Sequence, residues 1–269
     1  MYHKEISNER KIYLKKQRRY KNAVTFFRVF IIISFIALWE IGGRLGLIDS
    51  FVLSQPSRIL SVLADYKQND LLLHIGTTLF ETGVGFILGV VLGCFIAVLL
   101  WWSPFLSKVS EPYLVVLNSL PKIALGPVII IWVGAGTRAI IFMALAISMI
   151  VTVLEMLNGF IGTDKELIKM LRTFGANRFQ IFTKIVLPYN IETLFNSLKI
   201  NIGLSLVGVI AGEFLVSKAG LGYLIVYGGQ VFKMDLVMAS VIILAAAAAI
   251  LYELIVICQR FVLKCINHK

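Results

Sequence analysis

Side chains that could carry out chemistry are few in this sequence. The three histidines, His3, His74 and His268, are scattered, and the cysteines at positions 94, 258 and 265 lack the spacing of a metal site or a disulfide framework. No Gly-x-x-x-x-Gly-Lys-Ser/Thr phosphate loop occurs, so the chain has no ATP-binding site of that type. We therefore expect no catalytic residue, no metal and no cofactor, and any ATP would bind to a separate subunit.

The most distinctive segment is the basic, amphipathic stretch at residues 160–188. Thr163 and Glu166 have the spacing of a capping box, which predicts a helix that starts at Asp164. Gly175 stands where a glycine in the left-handed conformation would end this helix. Apolar residues recur at helical spacing between these two points, at Leu167, Leu171 and Phe174.

A second short helix is predicted after this glycine. Asn177 can cap its beginning, and Pro188 is expected to end it because proline lacks an N–H and clashes with the preceding turn. Its apolar face consists of Phe182, Ile185 and Val186. Such a bent pair of amphipathic helices either lies on lipid headgroups or docks against another protein.

The composition is that of a membrane protein. Hydrophobic residues make up 58% of the 269 residues and mean hydropathy is +0.87, which excludes an ordinary soluble domain. The net charge of +11 could indicate a nucleic-acid partner, but the basic residues concentrate in alternate connecting segments. This distribution follows the positive-inside rule, so we expect a lipid bilayer and no nucleic acid.

Six stretches are long and apolar enough to cross a bilayer, which takes about 20 residues. They are roughly 23–41, 78–102, 113–133, 139–157, 191–216 and 237–258. Most of the 26 lysines and arginines fall on one side if the N-terminus is cytoplasmic. We therefore predict an all-α, multi-pass protein of the cell membrane, with both termini and the loop between helices 4 and 5 in the cytoplasm.

Three features inside the membrane region are candidates for function. Gly85, Gly89 and Gly93 form a small-residue face on the second span, which serves either packing within the chain or a dimer interface. Pro121 interrupts the third span, and Lys122 beside it either reaches the headgroups or lines a path. Near the outer end of the fifth span, Glu213 either gates that path or hydrogen-bonds a neighbouring helix end.

The loop also carries a family resemblance. Gly175, followed after nine residues by Ile185 and then by Leu187 and Pro188, resembles the cytoplasmic loop signature of permease subunits of ATP-binding-cassette importers. In that family the loop forms a short helix that docks into a groove of the ATPase subunit. The resemblance implies docking residues Glu166, Leu167, Leu171, Phe174, Gly175, Ile185, Leu187 and Pro188. The usual Glu-Ala-Ala before the glycine is replaced here by Lys169-Met170-Leu171.

Other motifs resemble the permeases that serve nitrate, sulfonates and taurine. They are Ser54-Gln55-Pro56-Ser57, the segment 120–127, and Gly212-Glu213 followed by Gly220-Leu221-Gly222. The resemblance covers residues 50–262 and implies a homodimer, two ATPase subunits and an extracytoplasmic solute-binding protein. A thiamine-precursor-like heterocycle is an alternative solute.

Two other classes of membrane protein would have different sequence features. A gradient-driven secondary transporter would have inverted halves and mid-span carboxylates, and a membrane enzyme would have a cluster of His, Asp or Glu.

We expect a basic cytoplasmic segment at residues 1–22, a permease domain at 23–262 containing the loop 160–188, and a cytoplasmic tail at 263–269.

Overall fold

The computed structural model describes residues 8–47, 49–65 and 70–267. Parts of the predicted cytoplasmic ends, residues 1–7 and 268–269, lie outside the described residues, as do His3 and His268. The described residues form helices and connecting turns without a β-strand. The chain divides into two compact units, residues 1–64 and 65–269.

The described residues of the first unit form three helices: α1 (Asn8–Arg44), α2 (Ser50–Leu53) and α3 (Pro56–Ala64). Residues 8–22 of the basic segment and the first predicted span therefore belong to one continuous helix. Glu40 near the end of α1 pairs with Arg44 at 2.7 Å and accepts a hydrogen bond from the backbone N–H of Ser57 at 3.0 Å. This carboxylate ties the end of α1 to the beginning of α3.

The second unit contains the remaining helices. They are α4 (Leu71–Trp102), α5 (Pro104–Ser119), α6 (Gly126–Val133), α7 (Thr137–Ile161), α8 (Lys165–Thr173), α9 (Arg178–Ile181), α10 (Leu187–Tyr189), α11 (Ile191–Val216), α12 (Leu221–Gln230) and α13 (Met234–Asn267). A 3₁₀ turn, Lys122–Leu125, precedes α6, and a π-helical turn, Phe182–Val186, joins α9 to α10.

Among the described residues, five helices are long and apolar enough to cross a membrane: α1, α4, α7, α11 and α13. The predicted third span, 113–133, is not one helix. It is a pair, Pro104–Ser119 and Lys122–Val133, bent by 87°. Leu120 is extended at the break because the residue before a proline disfavours the helical region, and Pro121 has no N–H to continue the helix.

The core of the second unit is the close packing of α4, α7 and α11. A Cβ placed at Gly85 would lie 2.6 Å from the Cβ of Ala144, and one at Gly208 would lie 2.9 Å from the Cα of the same alanine. Ala144 on α7 is therefore enclosed by glycines from both neighbouring helices. Such small-residue contacts allow close van der Waals packing, which stabilises helix association in lipid.

The glycine face of α4 continues along the same interface. A Cβ at Gly93 would lie 2.6 Å from the Cβ of Thr152, and one at Gly89 would overlap the hydroxyl group of Ser148. In the structure this face packs on α7 of the same chain. The dimer-interface alternative for these three glycines therefore has no support from their position.

Candidate functional site

The first helix of the loop, α8, is capped by Asp164 and not by Thr163. The Asp164 carboxylate accepts a hydrogen bond from the backbone N–H of Glu166 at 2.8 Å. Thr163 is buried, donates to the carbonyl of Gly159 and accepts a hydrogen bond from the Asn190 amide at 2.9 Å. The predicted capping box is therefore wrong, because the threonine hydroxyl joins the two ends of the loop, and α8 begins one residue later than predicted.

Gly175 ends the first loop helix as predicted. Its φ is +79°, in the left-handed region that favours glycine. The N–H of Gly175 bonds to the carbonyl of Arg172 at 2.9 Å, and the N–H of Ala176 bonds to that of Leu171 at 3.0 Å. These two bonds form a Schellman motif, which satisfies the last carbonyls of the helix and turns the chain.

The second loop helix is capped by Asn177 as expected but does not end at Pro188. Asn177 and Gln180 form a reciprocal capping box. The chain then passes through the π-helical turn, in which the N–H of Leu187 bonds to the carbonyl of Phe182, and continues helically through Pro188. The widened turn makes room for the proline ring, so the prediction of a stop at Pro188 was wrong.

Apolar side chains of the loop point in two directions. Ile168 and Leu171 are partly buried and pack against the cluster around Phe160 and Phe182 of the same chain. Phe174, in contrast, is 80% exposed, and Met170 is also exposed. The predicted stripe of Leu167, Leu171 and Phe174 is thus divided, because Leu171 faces its own chain while Phe174 projects outward.

Lys122 lies at the break between α5 and α6. Its ammonium group donates to the carbonyl oxygen of Asn118 at 2.9 Å and to the Asn118 side-chain oxygen at 3.2 Å. The lysine therefore caps the carboxyl end of α5, where backbone carbonyls are unsatisfied and a positive charge is favourable. Pro121 is exposed beside it.

Glu213 is buried at the junction of α4, α11 and α12. The hydroxyl of Thr78 donates to one oxygen of its carboxyl group at 2.7 Å, and the backbone N–H of Gly222 donates to the other at 2.5 Å. Thr78 also accepts a hydrogen bond from the N–H of Leu221 at 2.8 Å. Glu213 thus binds the amino end of α12, where free N–H groups favour an anion.

Glycine is required on both sides of Leu221. A Cβ at Gly222 would lie 2.7 Å from a carboxyl oxygen of Glu213, and one at Gly220 would overlap that carboxyl group. Gly220 has a φ of +111° and donates its N–H to the imidazole of His74 at 2.9 Å. The Gly-Leu-Gly motif therefore encloses Glu213.

Sequence reasoning missed Glu81 as part of this cluster. Glu81 is fully buried, and within the described chain neither of its carboxyl oxygens has a hydrogen-bond partner of standard geometry. Its polar neighbours are the Thr137 hydroxyl and the Glu213 carboxyl group. A signal was present, since Thr78, Glu81 and Thr82 recur at helical spacing on an otherwise apolar helix and share the face of Gly85.

The site therefore consists of two separate parts. One is the outward-facing loop around Phe174 and Gly175, and the other is the buried polar cluster around Glu213. Within the described ranges no group of three His, Cys, Asp or Glu side chains could hold a metal ion. Neither part has the geometry of a catalytic centre.

Comparison with known proteins identifies a family. A model described as "Binding-protein-dependent transport system inner membrane component" matches residues 89–267. The putative aliphatic sulfonates transport permease protein SsuC of Bacillus subtilis is 25% identical over 230 residues, which are 85% of this chain and 83% of that protein. The formylaminopyrimidine transport permease protein ThiX of Halalkalibacterium halodurans is 25% identical and covers 70% of this chain and 75% of its own length.

Among solved structures, a chain of the inward-facing MetNI methionine ABC transporter is similar, with a TM-score of 0.64 and 21% sequence identity. The match covers 71% of the present chain and 95% of the other. At this identity the likeness concerns the fold alone. The two chains therefore share a helical fold over the matched residues.

Proposed function

Because the chain belongs to the family of binding-protein-dependent transport system inner membrane components, we propose that two copies of it form the translocation path for a small sulfonate-type solute. The protein is a multi-pass permease subunit of an ATP-binding-cassette importer and is not an enzyme. Importers of this family work with an ATPase and with a binding protein that delivers the solute. This membership sets aside the gradient-driven alternative.

The observation that carries the coupling proposal is the outward face of α8. Phe174 and Met170 are exposed on a helix that is anchored to its own chain through Ile168 and Leu171. An exposed aromatic side chain on a basic helix gains free energy when a protein groove covers it. We propose that this face docks into the ATPase, and that the loop 160–188 is cytoplasmic.

The bend at Gly175 gives the loop a defined shape. The Schellman motif and the Asn177–Gln180 capping box hold the two loop helices at a fixed turn. The hydrogen bond from Asn190 to Thr163 then joins the loop's two ends where they meet α7 and α11. We propose that the loop moves as a rigid unit when the ATPase pushes on α8, and that this movement shifts α7 and α11. The helix bundle would then change between inward-open and outward-open states.

A homodimer is the proposed assembly. In one chain α5 has no buried residue, and polar side chains near its end, Asn118 and Ser119, are exposed. Polar side chains that face lipid are costly, whereas side chains that line a water-filled path or a protein contact are not. A second copy related by a two-fold axis would cover this surface. The chain itself would need no cofactor, since the ATPase binds ATP.

The proposed solute class is argued from the names of the relatives and from the positive charge of Lys122. The relatives include permeases named for aliphatic sulfonates and for formylaminopyrimidine. Lys122 lies at the broken third span and provides a cation near the proposed path. This charge favours a solute with an anionic group, such as the sulfonate group of a sulfonate or taurine-like compound or the nitrate ion, over the neutral heterocycle, which remains the alternative.

Uptake by the complete importer tests the proposal. The permease would be reconstituted with its ATPase and binding protein in vesicles, and uptake of labelled ethanesulfonate, taurine, nitrate and a formylaminopyrimidine would be compared. We expect ATP-dependent uptake of a sulfonate and a lower rate for the heterocycle. Preferred uptake of the heterocycle would reject the anionic solute, and uptake without ATP would reject the importer mechanism.

A further inference from the structure

A groove lies beside the loop helix α8. It has a volume of about 690 Å³ and is bounded by the beginning of α5, the end of α7, and α8 itself. Its floor is apolar and includes Leu114, Leu154, Leu157 and Ile161. Met170 and Phe174, which form the proposed ATPase contact, do not line it.

The rim of this groove is strongly positive. Five basic side chains line it, and Glu111 is the only carboxylate among the residues lining it. The basic side chains are Lys108, Lys165, Lys169, Arg172 and Arg178. Of these five side chains, only Lys169 forms an ion pair within the described residues, with Glu166 at 2.9 Å on the exposed surface. The groove therefore carries positive charge that the chain itself does not neutralise.

Aromatic residues indicate the depth of the groove in the membrane. Trp101 and Trp102 end the apolar helix α4, and tryptophan is enriched where the hydrocarbon meets the headgroups. Arg178 lies over the Trp101 ring at 5.5 Å and donates to the Trp101 carbonyl at 3.3 Å. The basic rim is thus at headgroup level, while the apolar floor continues into the span α7.

We propose that this groove binds an anionic phospholipid of the membrane leaflet that faces the loop. The phosphate group would lie among Lys108, Lys165 and Arg172, and the first part of an acyl chain would cover Leu154 and Leu157. A basic rim joined to an apolar floor matches a ligand with an anionic head and an apolar tail. A free anion would leave the floor uncovered.

A bound lipid would affect the position of α8. Ile168 lines the groove and packs against the core cluster, so a lipid there would contact the inner face of the loop helix. The inference concerns a lipid contact and does not depend on the transported solute. Its test measures the amount of bound lipid, so the result remains valid even if the protein does not transport a sulfonate.

Native mass spectrometry of the intact permease–ATPase complex, released from nanodiscs of mixed phosphatidylglycerol and phosphatidylcholine, tests the proposal. The wild-type complex should retain phosphatidylglycerol in preference to phosphatidylcholine. A triple variant, Lys108→Gln with Lys165→Gln and Arg172→Gln, should lower that retention by more than about tenfold, since each basic residue contributes to anionic-lipid binding.

Two matched variants serve as controls. Arg18→Gln with Arg19→Gln and Lys21→Gln removes the same charge from exposed positions on α1 and should lower retention clearly less than the groove variant does. Lys108→Arg with Lys165→Arg and Arg172→Lys keeps the charge and should also retain the lipid. The second control distinguishes loss of binding from loss of folding.

Four outcomes would overturn the proposal. The first is that the wild-type complex shows no preference for phosphatidylglycerol. The second is that the groove variant and the α1 variant lose phosphatidylglycerol equally, and the third is that inorganic phosphate displaces the lipid at a concentration similar to that of the lipid. The fourth is loss of the ATPase from the groove variant with lipid retention unchanged, which would assign the rim to a protein contact instead.

Discussion

The carboxyl group of Glu213 on α11 accepts a hydrogen bond from the backbone N–H of Gly222 on α12, with the two atoms 2.5 Å apart. This bond joins the end of a membrane span to the beginning of the next helix. Because Thr78 of α4 donates to the same carboxyl group, three helices meet at one buried side chain. The junction explains why Glu213 is tolerated in an apolar region, since both of its carboxyl oxygens accept hydrogen bonds.

Gly222→Ala should destabilise this junction by about 1–3 kcal/mol, since the added Cβ would lie 2.7 Å from a Glu213 oxygen and 3.1 Å from the Ile210 carbonyl. Thermal unfolding of the detergent-solubilised permease measures the loss. Gly229→Ala on the same helix is the matched control, because no atom lies within 4 Å of its added Cβ. Equal melting temperatures for the two variants would contradict the packing described.

Gly89→Ala should loosen the contact between α4 and α7 by a similar amount, about 1–3 kcal/mol. The added methyl group would overlap the Ser148 side chain and lie 3.2 Å from the Leu145 carbonyl, so the two helices must separate. Gly83→Ala, six residues earlier on α4 and in open space, provides the comparison. If Gly83→Ala proved the more damaging variant in thermal unfolding, the α4 glycines would serve a surface outside this chain.

Phe174→Asp should prevent the ATPase from co-purifying while the permease inserts and unfolds normally. The side chain is 80% exposed, so a charge there costs nothing in the isolated chain but opposes burial in a partner's groove. Leu171→Asp is expected to reduce both ATPase co-purification and the stability of the permease, because Leu171 packs against the permease's own core. A Phe174→Asp variant with normal ATPase stimulation in reconstituted vesicles would remove this residue from the contact.

Gly175→Val should uncouple ATP hydrolysis from uptake. Space around the Cβ is open, so the cost is backbone strain at φ +79°, where a β-branched residue is an outlier. Gly175→Asn should retain coupling, because asparagine accepts the left-handed conformation. The ratio of solute transported to ATP hydrolysed is the measurement, and a normal ratio for the valine variant would show that the bend is not needed.

Lys122→Met should impair uptake of an anionic solute more than it impairs assembly. After replacement of the cysteines at 94, 258 and 265, a cysteine at position 122 should react with a water-soluble thiol reagent at a rate that changes with bound solute or ATP analogue. If Lys122 only caps α5 through Asn118, labelling will be the same in every state and Lys122→Met will transport normally.

Local sequence was enough to predict five of the six membrane-spanning helices and the bend of the loop. The fifth predicted span, 191–216, coincides with α11, and Gly175 and Asn177 take the roles their positions predict. These features depend on apolar runs and on hydrogen bonds between residues a few positions apart. Because both the donor and the acceptor lie within one short segment, these hydrogen bonds can be predicted without knowledge of the fold.

Other features were decided only by tertiary packing. Glu81 and Glu213 are separated by more than half of the second unit's sequence, yet they become neighbours because glycines let α4, α7 and α11 approach closely. Thr163 had the right spacing for a helix cap, but a long-range bond from Asn190 engaged its hydroxyl. Periodicity likewise placed Leu171 with Phe174, while contact with the Phe160 and Phe182 cluster turned Leu171 inward. A side chain with several possible partners takes the one that the packed helices bring closest, and that choice depends on the whole fold.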